Sequence, residues 1–291
     1  MDRTGRFLEA VYRKYARPEF LHTDPLTVVR RYEDPADRET VAFFVALIAY
    51  GRVRSIREHA EDLLRLFGDE PARYVRDFDP ERELPRLHPL RYRFHTGRDL
   101  AAVAAALRLA IDRHGSLERF FLDGGGDVRT RIARMSRRLL ESATGAIPAG
   151  PDRGVSRGLR FLLASPEKGG ACKRWNLFLR WMVRRDDGID LGLWSGTDPA
   201  ELIVPLDVHL LRIGGRLGFV TGRAANWNAA ERLTGSLRRW DRRDPLRFDF
   251  PICRLGILDR CPAEGFRAEC RACEIFPFCE NFSKEVGKKI R

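Results

Sequence analysis

Two kinds of residue in this chain are used sparingly, and both could do chemistry. Of the 53 cationic side chains only six are lysines, at positions 14, 168, 173, 284, 288 and 289, and the other 47 are arginines. Between Lys14 and Lys284 every other cation is an arginine, yet Lys168 and Lys173 are kept. Arginine carries charge and contacts phosphate at least as well as lysine, but it does not give up its proton to become an amine nucleophile. The second set is cysteine. Five of the six fall within 27 residues, as Cys253, Cys261, Cys270, Cys273 and Cys279. The spacing is Cys270-x2-Cys273-x5-Cys279, with eight residues between Cys261 and Cys270 and seven between Cys253 and Cys261. Met1-Asp2-Arg3-Thr4 leads into a charged segment without the apolar stretch of a secretory signal, so a reducing compartment is expected and a metal site is favoured over disulfides. Four thiolates could hold one tetrahedral zinc or a [4Fe–4S] cluster. A zinc site usually uses two short Cys-x2-Cys knuckles, and this array has one, which favours iron–sulfur. Cys253, in an apolar stretch after Phe250-Pro251, and the isolated Cys172 are expected in the core instead.

The elements that must position these groups read as helices. Residues 39–50 are almost wholly apolar and too long for an ordinary strand, which suits a buried helix. Gly51-Arg52 breaks it, and Ser55 to Phe67 gives an amphipathic helix ended by Gly68. Asp99 to His114 is rich in Ala and Leu and stops at Gly115. Val128 to Ser142 repeats apolar residues at helical spacing, and 123–127 and 148–151 are loops dense in Gly and Pro. Along 172–185, Trp175, Phe178, Leu179 and Met182 fall at i, i+3, i+4 and i+7, one apolar face. Lys173 lies in the first turn of that helix, where the positive end of the dipole disfavours an ammonium. After an Asp/Gly-rich linker from Asp186 to Thr197, Asp207 stands at an N-cap position before the apolar face of Val208 and Leu211. No period-two strand series and no internal repeat are found. The chain is expected to be all-α, one two-lobed helical unit over 1–291, with a hairpin and catalytic-helix region at 160–219 and a Cys-rich loop at 253–282.

These signals together resemble the helix-hairpin-helix DNA glycosylase superfamily, typified by endonuclease III and the 8-oxoguanine glycosylases, in a bacterial branch of domain-of-unknown-function type. The family's cluster pattern is Cys-x6-Cys-x2-Cys-x5-Cys, and its last three positions match Cys270, Cys273 and Cys279; the gap from Cys261 is eight rather than six. Its catalytic aspartate opens a helix after a Val-Pro-like approach, matching Val204-Pro205-Leu206-Asp207-Val208-His209. Its catalytic lysine begins the second helix of the hairpin, matching Lys173 before Arg174-Trp175-Asn176-Leu177. The hairpin 164–171 departs from the family's Leu-Pro-Gly-Val-Gly, and Asp207 follows Lys173 by 34 positions. Both features are more similar to the archaeal 8-oxoguanine glycosylases.

The resemblance implies a glycosylase with AP-lyase activity on a damaged base, with an oxidised purine as one candidate. Lys173 would be the nucleophile and Asp207 the electrostatic stabiliser, with Lys168 as the rival amine. Cys261, Cys270, Cys273 and Cys279 would hold the [4Fe–4S] cluster, or zinc as the alternative. Lys168, Gly169 and Gly170 of the hairpin would meet DNA. Arg52, in Tyr50-Gly51-Arg52, occupies the place where the family inserts residues into the gap left by a flipped base. Trp175 and Phe178 could stack on a base but fit the core better, and His209 is expected to pack locally. The net charge of +12 suits a polyanionic partner. No apolar run of 18 residues occurs, which excludes a spanning helix. The partner expected is damaged double-stranded DNA, for a monomer in the cytoplasm associated with the nucleoid. The competing expectation is a non-catalytic iron–sulfur or zinc DNA-binding module.

Overall fold

A computed structural model describes residues 2–147, 155–258 and 270–271. Helices follow one another along this length: α1 (Arg3–Tyr15), α2 (Leu26–Val29), α3 (Pro35–Leu47), α4 (Val53–Phe67), α5 (Pro71–Arg76), α6 (Pro80–Leu87), α7 (Gly97–His114), α8 (Leu117–Leu122), α9 (Val128–Gly145), α10 (Arg157–Leu162), α11 (Lys173–Val183), α12 (Val208–Arg216), α13 (Trp227–Leu237) and α14 (Asp249–Leu258). The protein is mainly helical, as its sequence predicts. One small hairpin, β1 (Arg91–Tyr92) and β2 (His95–Thr96), is an addition, with Tyr92 paired to His95. Strands of two residues carry no alternation, so periodicity could not reveal them. Among the described residues no helix is long and apolar enough to cross a membrane. The chain divides into two compact units, each discontinuous in sequence: Leu21–Gly170 with Gly192–Thr197, and Met1–Phe20 with Ala171–Leu191 and Asp198–Arg291.

In the first of these, α3 begins where Asp34 caps the N–H groups of Ala36 and Asp37, with Pro35 in the first turn. Its residues from Thr40 to Leu47 are all buried, as the apolar run requires. α4 buries one stripe only, Ile56, His59, Ala60, Leu63, Leu64 and Phe67, and ends at Gly68. α7 starts with a capping box between Thr96 and Asp99 and stops at Gly115, which takes the left-handed conformation. The segment 192–197, read as linker, is tied into this unit. Trp194 Nε1 donates to Glu39 Oε1 at 2.5 Å, and the Ser195 and Gly196 N–H groups donate to Glu118 Oε1 at 2.7 Å.

In the second unit α11 is enclosed on every side. The predicted face of Trp175, Phe178, Leu179 and Met182 is buried, and so are Asn176, Leu177, Arg180, Trp181 and Val183. Burying Arg180 requires carboxylates around it. Its guanidinium meets Asp190 Oδ1 at 3.1 Å and Asp249 Oδ2 at 2.5 Å. Arg184, just past the helix, meets Asp190, Asp187 at 3.1 Å and Asp244 at 2.8 Å. These pairs fasten α11 to the 186–191 loop and to α14. Removing one partner strands a buried charge, so Arg180→Ala should lower the unfolding free energy by about 3–5 kcal/mol. Urea denaturation followed by circular dichroism measures it; a shift below about 1 kcal/mol, the scale of an exposed pair, would show that the network contributes little.

Candidate active site

Lys173 and Asp207 are each set at the head of a helix by local chain geometry. Before α11 the 3-10 turn Pro166–Lys168 is capped by Ser165 and closed by Gly169 at φ 77°. Cys172 then takes a left-handed conformation, φ 45° and ψ 39°, turning the chain so that Lys173 is the first helical residue. Asn176, buried one turn on, donates from Nδ2 to the Ala171 carbonyl at 3.0 Å and secures this entry. Asp207 is delivered by the buried stretch 202–206. There the Val204 N–H donates to Thr234 Oγ1 at 3.1 Å.

The two oxygens of Asp207 have different partners. Oδ1 accepts the backbone N–H groups of His209 at 2.9 Å and Leu210 at 2.8 Å, capping α12. Oδ2 lies 4.0 Å from Lys173 Nζ. The capping bonds fix the carboxylate, so Oδ2 has a set direction. Both side chains keep access to solvent, Lys173 being 35% and Asp207 19% exposed. A fixed carboxylate beside an accessible amine can stabilise a developing cation while the amine forms a covalent bond.

A third group, Cys253 of α14, is also present. Its Sγ is 3.8 Å from Asp207 Oδ2. Burial pushes the thiol up to about 12, and the charge of Asp207 adds to this. The thiol therefore stays protonated and donates to Oδ2. From the sequence Cys253 was expected in the core; its apolar neighbours in α14 gave no sign of a contact 46 residues away. Alkylation should report this environment. At pH 8 the native thiolate fraction lies on the order of a thousandfold below that of a free cysteine near 8.5. Iodoacetamide labelling resolved by peptide mass spectrometry should leave Cys253 unmodified until the protein is unfolded. Rapid labelling of native Cys253 would contradict the contact.

His209 is half-buried, accepts from Arg212 Nη2 at Nδ1 (3.0 Å) and donates its backbone N–H to Asp207. Burial lowers its imidazole below the ordinary value, and nearby Arg212, Lys173 and Arg254 act in the same direction against Asp207. The neutral ring is thereby favoured. α12 and α14 approach closely here: a Cβ on Gly256 would come within 2.5 Å of Ile213 Cδ1, so a larger residue there would push the end of the Ile213 side chain aside.

The other expected residues are placed as follows. Lys168, Gly169 and Gly170 are exposed, and added methyl groups at the two glycines would meet nothing within 4 Å. Arg52 is exposed and precedes α4 in extended backbone. Trp175 and Phe178 are core residues, 2% and 1% exposed. Of the expected cluster ligands only Cys270 is described, in a short turn with intermediate exposure. Cys261, Cys273 and Cys279 lie outside the described residues. Among the described residues no group of three or more His, Cys, Asp or Glu side chains is placed to hold a metal.

No curated protein and no solved structure matches this chain significantly. A family model described as a protein of unknown function (DUF2400) matches residues 24–258, a stretch that takes in Lys173, Asp207 and Cys253 and stops before Cys261, and the chain belongs to that family.

Proposed function

We propose that this protein is a base-excision repair DNA glycosylase with AP-lyase activity, acting on double-stranded DNA that carries a damaged base such as an oxidised purine. The observation that carries the reading is the 4.0 Å approach of Lys173 Nζ to Asp207 Oδ2, between the heads of two helices. A plain helix cap would use Asp207 Oδ1 alone; here the second oxygen faces an amine.

Departure of a base breaks the C1′–N bond, its electron pair leaves with the base, and positive charge grows on the sugar. Asp207 stabilises that charge. Lys173 forms the new N–C1′ bond, and opening of the sugar gives a Schiff base. Loss of a C2′ proton then expels the 3′ phosphate and nicks the strand. The reaction consumes no redox equivalent. An arginine at 173 could not take this part, which explains a lysine in an arginine-dominated chain.

Lys168, the Gly169 and Gly170 N–H groups and Arg52 are assigned to the DNA backbone. The open space around the two glycines supports close approach by a phosphate. For the cofactor, the donor set Cys261, Cys270, Cys273 and Cys279 fits a [4Fe–4S] cluster by thiolate chemistry, with zinc the alternative. When bound it would supply folding free energy to the C-terminal loop. Cys253 is already committed to Asp207, which favours Cys261 as the first ligand. Borohydride trapping on abasic-site DNA tests the enzyme reading: a covalent adduct is expected, and its absence with DNA binding retained would leave a non-catalytic DNA-binding module.

A further inference from the structure

The β1–β2 hairpin is backed by a run of hydrogen bonds whose direction follows from its members. The Tyr92 carbonyl can only accept, so the Tyr50 hydroxyl donates to it at 3.0 Å. Tyr50 Oη is also 2.6 Å from His95 Nδ1, which must then carry the proton and donate. In a neutral ring that leaves His95 Nε2 as the acceptor from His59 Nε2 at 2.9 Å. The Tyr92 hydroxyl closes the set by donating to the Tyr50 carbonyl at 2.7 Å. His59 and His95 are buried, and burial lowers His59 toward the neutral form. Gly51 completes the fit, since its φ of 100° and the 2.7 Å from a would-be Cβ to Tyr92 Oη admit no side chain. A buried, satisfied network of this kind holds one conformation.

What it holds is a tip that points to solvent. Arg93 takes φ 48°, and Phe94 beside it is 50% exposed. The exposed large apolar side chains among the described residues are Phe94, Leu109, Val208 and Leu258, and only Phe94 is aromatic. Its ring stacks on Tyr50 at 5.8 Å and 24°, leans on Phe161 at 4.9 Å, and has the Arg93 guanidinium 5.6 Å over it. Tyr50, which sequence placed in an inserting position, has its hydroxyl and ring committed to this support, leaving Phe94 as the presented ring. Arg91 and Arg93 are exposed on the hairpin, and the exposed Arg52 follows Gly51, which lies against Arg93.

We propose that Phe94, at the tip of this hairpin, stacks on an unpaired nucleobase of DNA, the base taking the place over the ring that the Arg93 guanidinium now holds, while Arg93 moves with Arg52 and Arg91 to the flanking phosphates. This rests on the reading of the protein as DNA-binding and adds the residue that receives the unstacked base. One exposed aromatic ring with an arginine over it, and two further exposed arginines on the hairpin and beside Gly51, is complementary to a base between phosphates, not to the broad apolar face of a protein partner. Because the ring is already fixed, stacking costs little side-chain entropy. Phenylalanine offers no hydrogen bond, so the platform accepts any base.

The test compares a duplex carrying a one-base 2-aminopurine bulge with the fully paired duplex, using the full chain. The wild-type protein should bind the bulged duplex on the order of tenfold more tightly, as one base–aromatic stack provides, and should quench the 2-aminopurine emission. Phe94→Ala should lose both the preference and the quenching, with paired-duplex affinity and circular dichroism unchanged. Phe94→Tyr should retain them. The proposal is overturned if Phe94→Ala keeps the preference, if it weakens both duplexes equally, or if Phe94→Tyr fails as Ala does. Phe94-dependent stacking without a borohydride-trapped adduct would support the platform and overturn the enzyme reading; normal trapping with a Phe94-independent preference would do the reverse. Failure to bind either duplex would overturn both.

Discussion

Lys173→Gln is expected to abolish the borohydride-trapped adduct with abasic-site DNA while leaving binding of the same DNA largely intact. Trapping requires an amine bonded to C1′, and an amide does not supply one. The loss should be on the order of a thousandfold or more, the scale seen when a nucleophile is removed from a group of residues that act together. Lys173→Arg should fail equally, because a guanidinium keeps the charge and any phosphate contact but is not a nucleophile at neutral pH. That pair separates covalent chemistry from electrostatic binding. If Arg restored trapping, Lys173 would be only a positive charge. Lys168→Gln is the comparison, since Lys168 is the rival amine, in the exposed 3-10 turn five residues earlier; as a phosphate contact it should weaken binding but keep trapping at saturating protein. Trapping lost in Lys168→Gln and kept in Lys173→Gln would move the nucleophile to Lys168. Trapping kept in both would end the Schiff-base mechanism as assigned.

The site was legible where local rules applied and hidden where contacts were distant. Lys173 stood out because lysine is scarce here, and Asp207 because a cap position has a sequence pattern; their 4.0 Å approach joins two independent local signals. Cys253 gave no such sign. Its side chain reaches Asp207 because α14 packs against α12, an approach that spacing along the chain does not encode. The second, polar face of α11 was missed for the same reason. Arg180 reads as a solvated residue until Asp190 and Asp249 are brought beside it. The 91–96 hairpin was missed because its strands are too short for alternation, although Tyr50 in its support had been singled out. Helix stops were the clearest part, as at Gly68 and Gly115, whereas two starts were read late: the helices begin at Pro35 and Gly97, capped by Asp34 and Thr96, not at residues 39 and 99.

Asp207→Asn separates the observed helix cap from the proposed electrostatic role of the same side chain. In the native protein Oδ1 receives two backbone N–H groups and Oδ2 faces Lys173 and Cys253. Asparagine has one acceptor oxygen, and the two N–H donors at the helix end claim it. Its NH2 then occupies the place of Oδ2, uncharged. The cap survives, because Asn caps nearly as well as Asp, so the unfolding free energy should barely move. Base release, measured in single turnover on lesion-bearing duplex, should slow by on the order of a hundredfold or more, as for removal of an electrostatic stabiliser. Asp207→Ala removes both functions and should add a stability loss of about 0.5–2 kcal/mol. The contrast between Asn and Ala carries the argument, since Ala alone would confuse unfolding with lost catalysis. A second readout needs no substrate: with the carboxylate charge gone, Cys253 loses one of the causes that hold its thiol high, and its alkylation should speed up in Asp207→Asn. Excision at the wild-type rate in a stable Asp207→Asn protein would reduce Asp207 to a helix cap and remove the carboxylate from the mechanism.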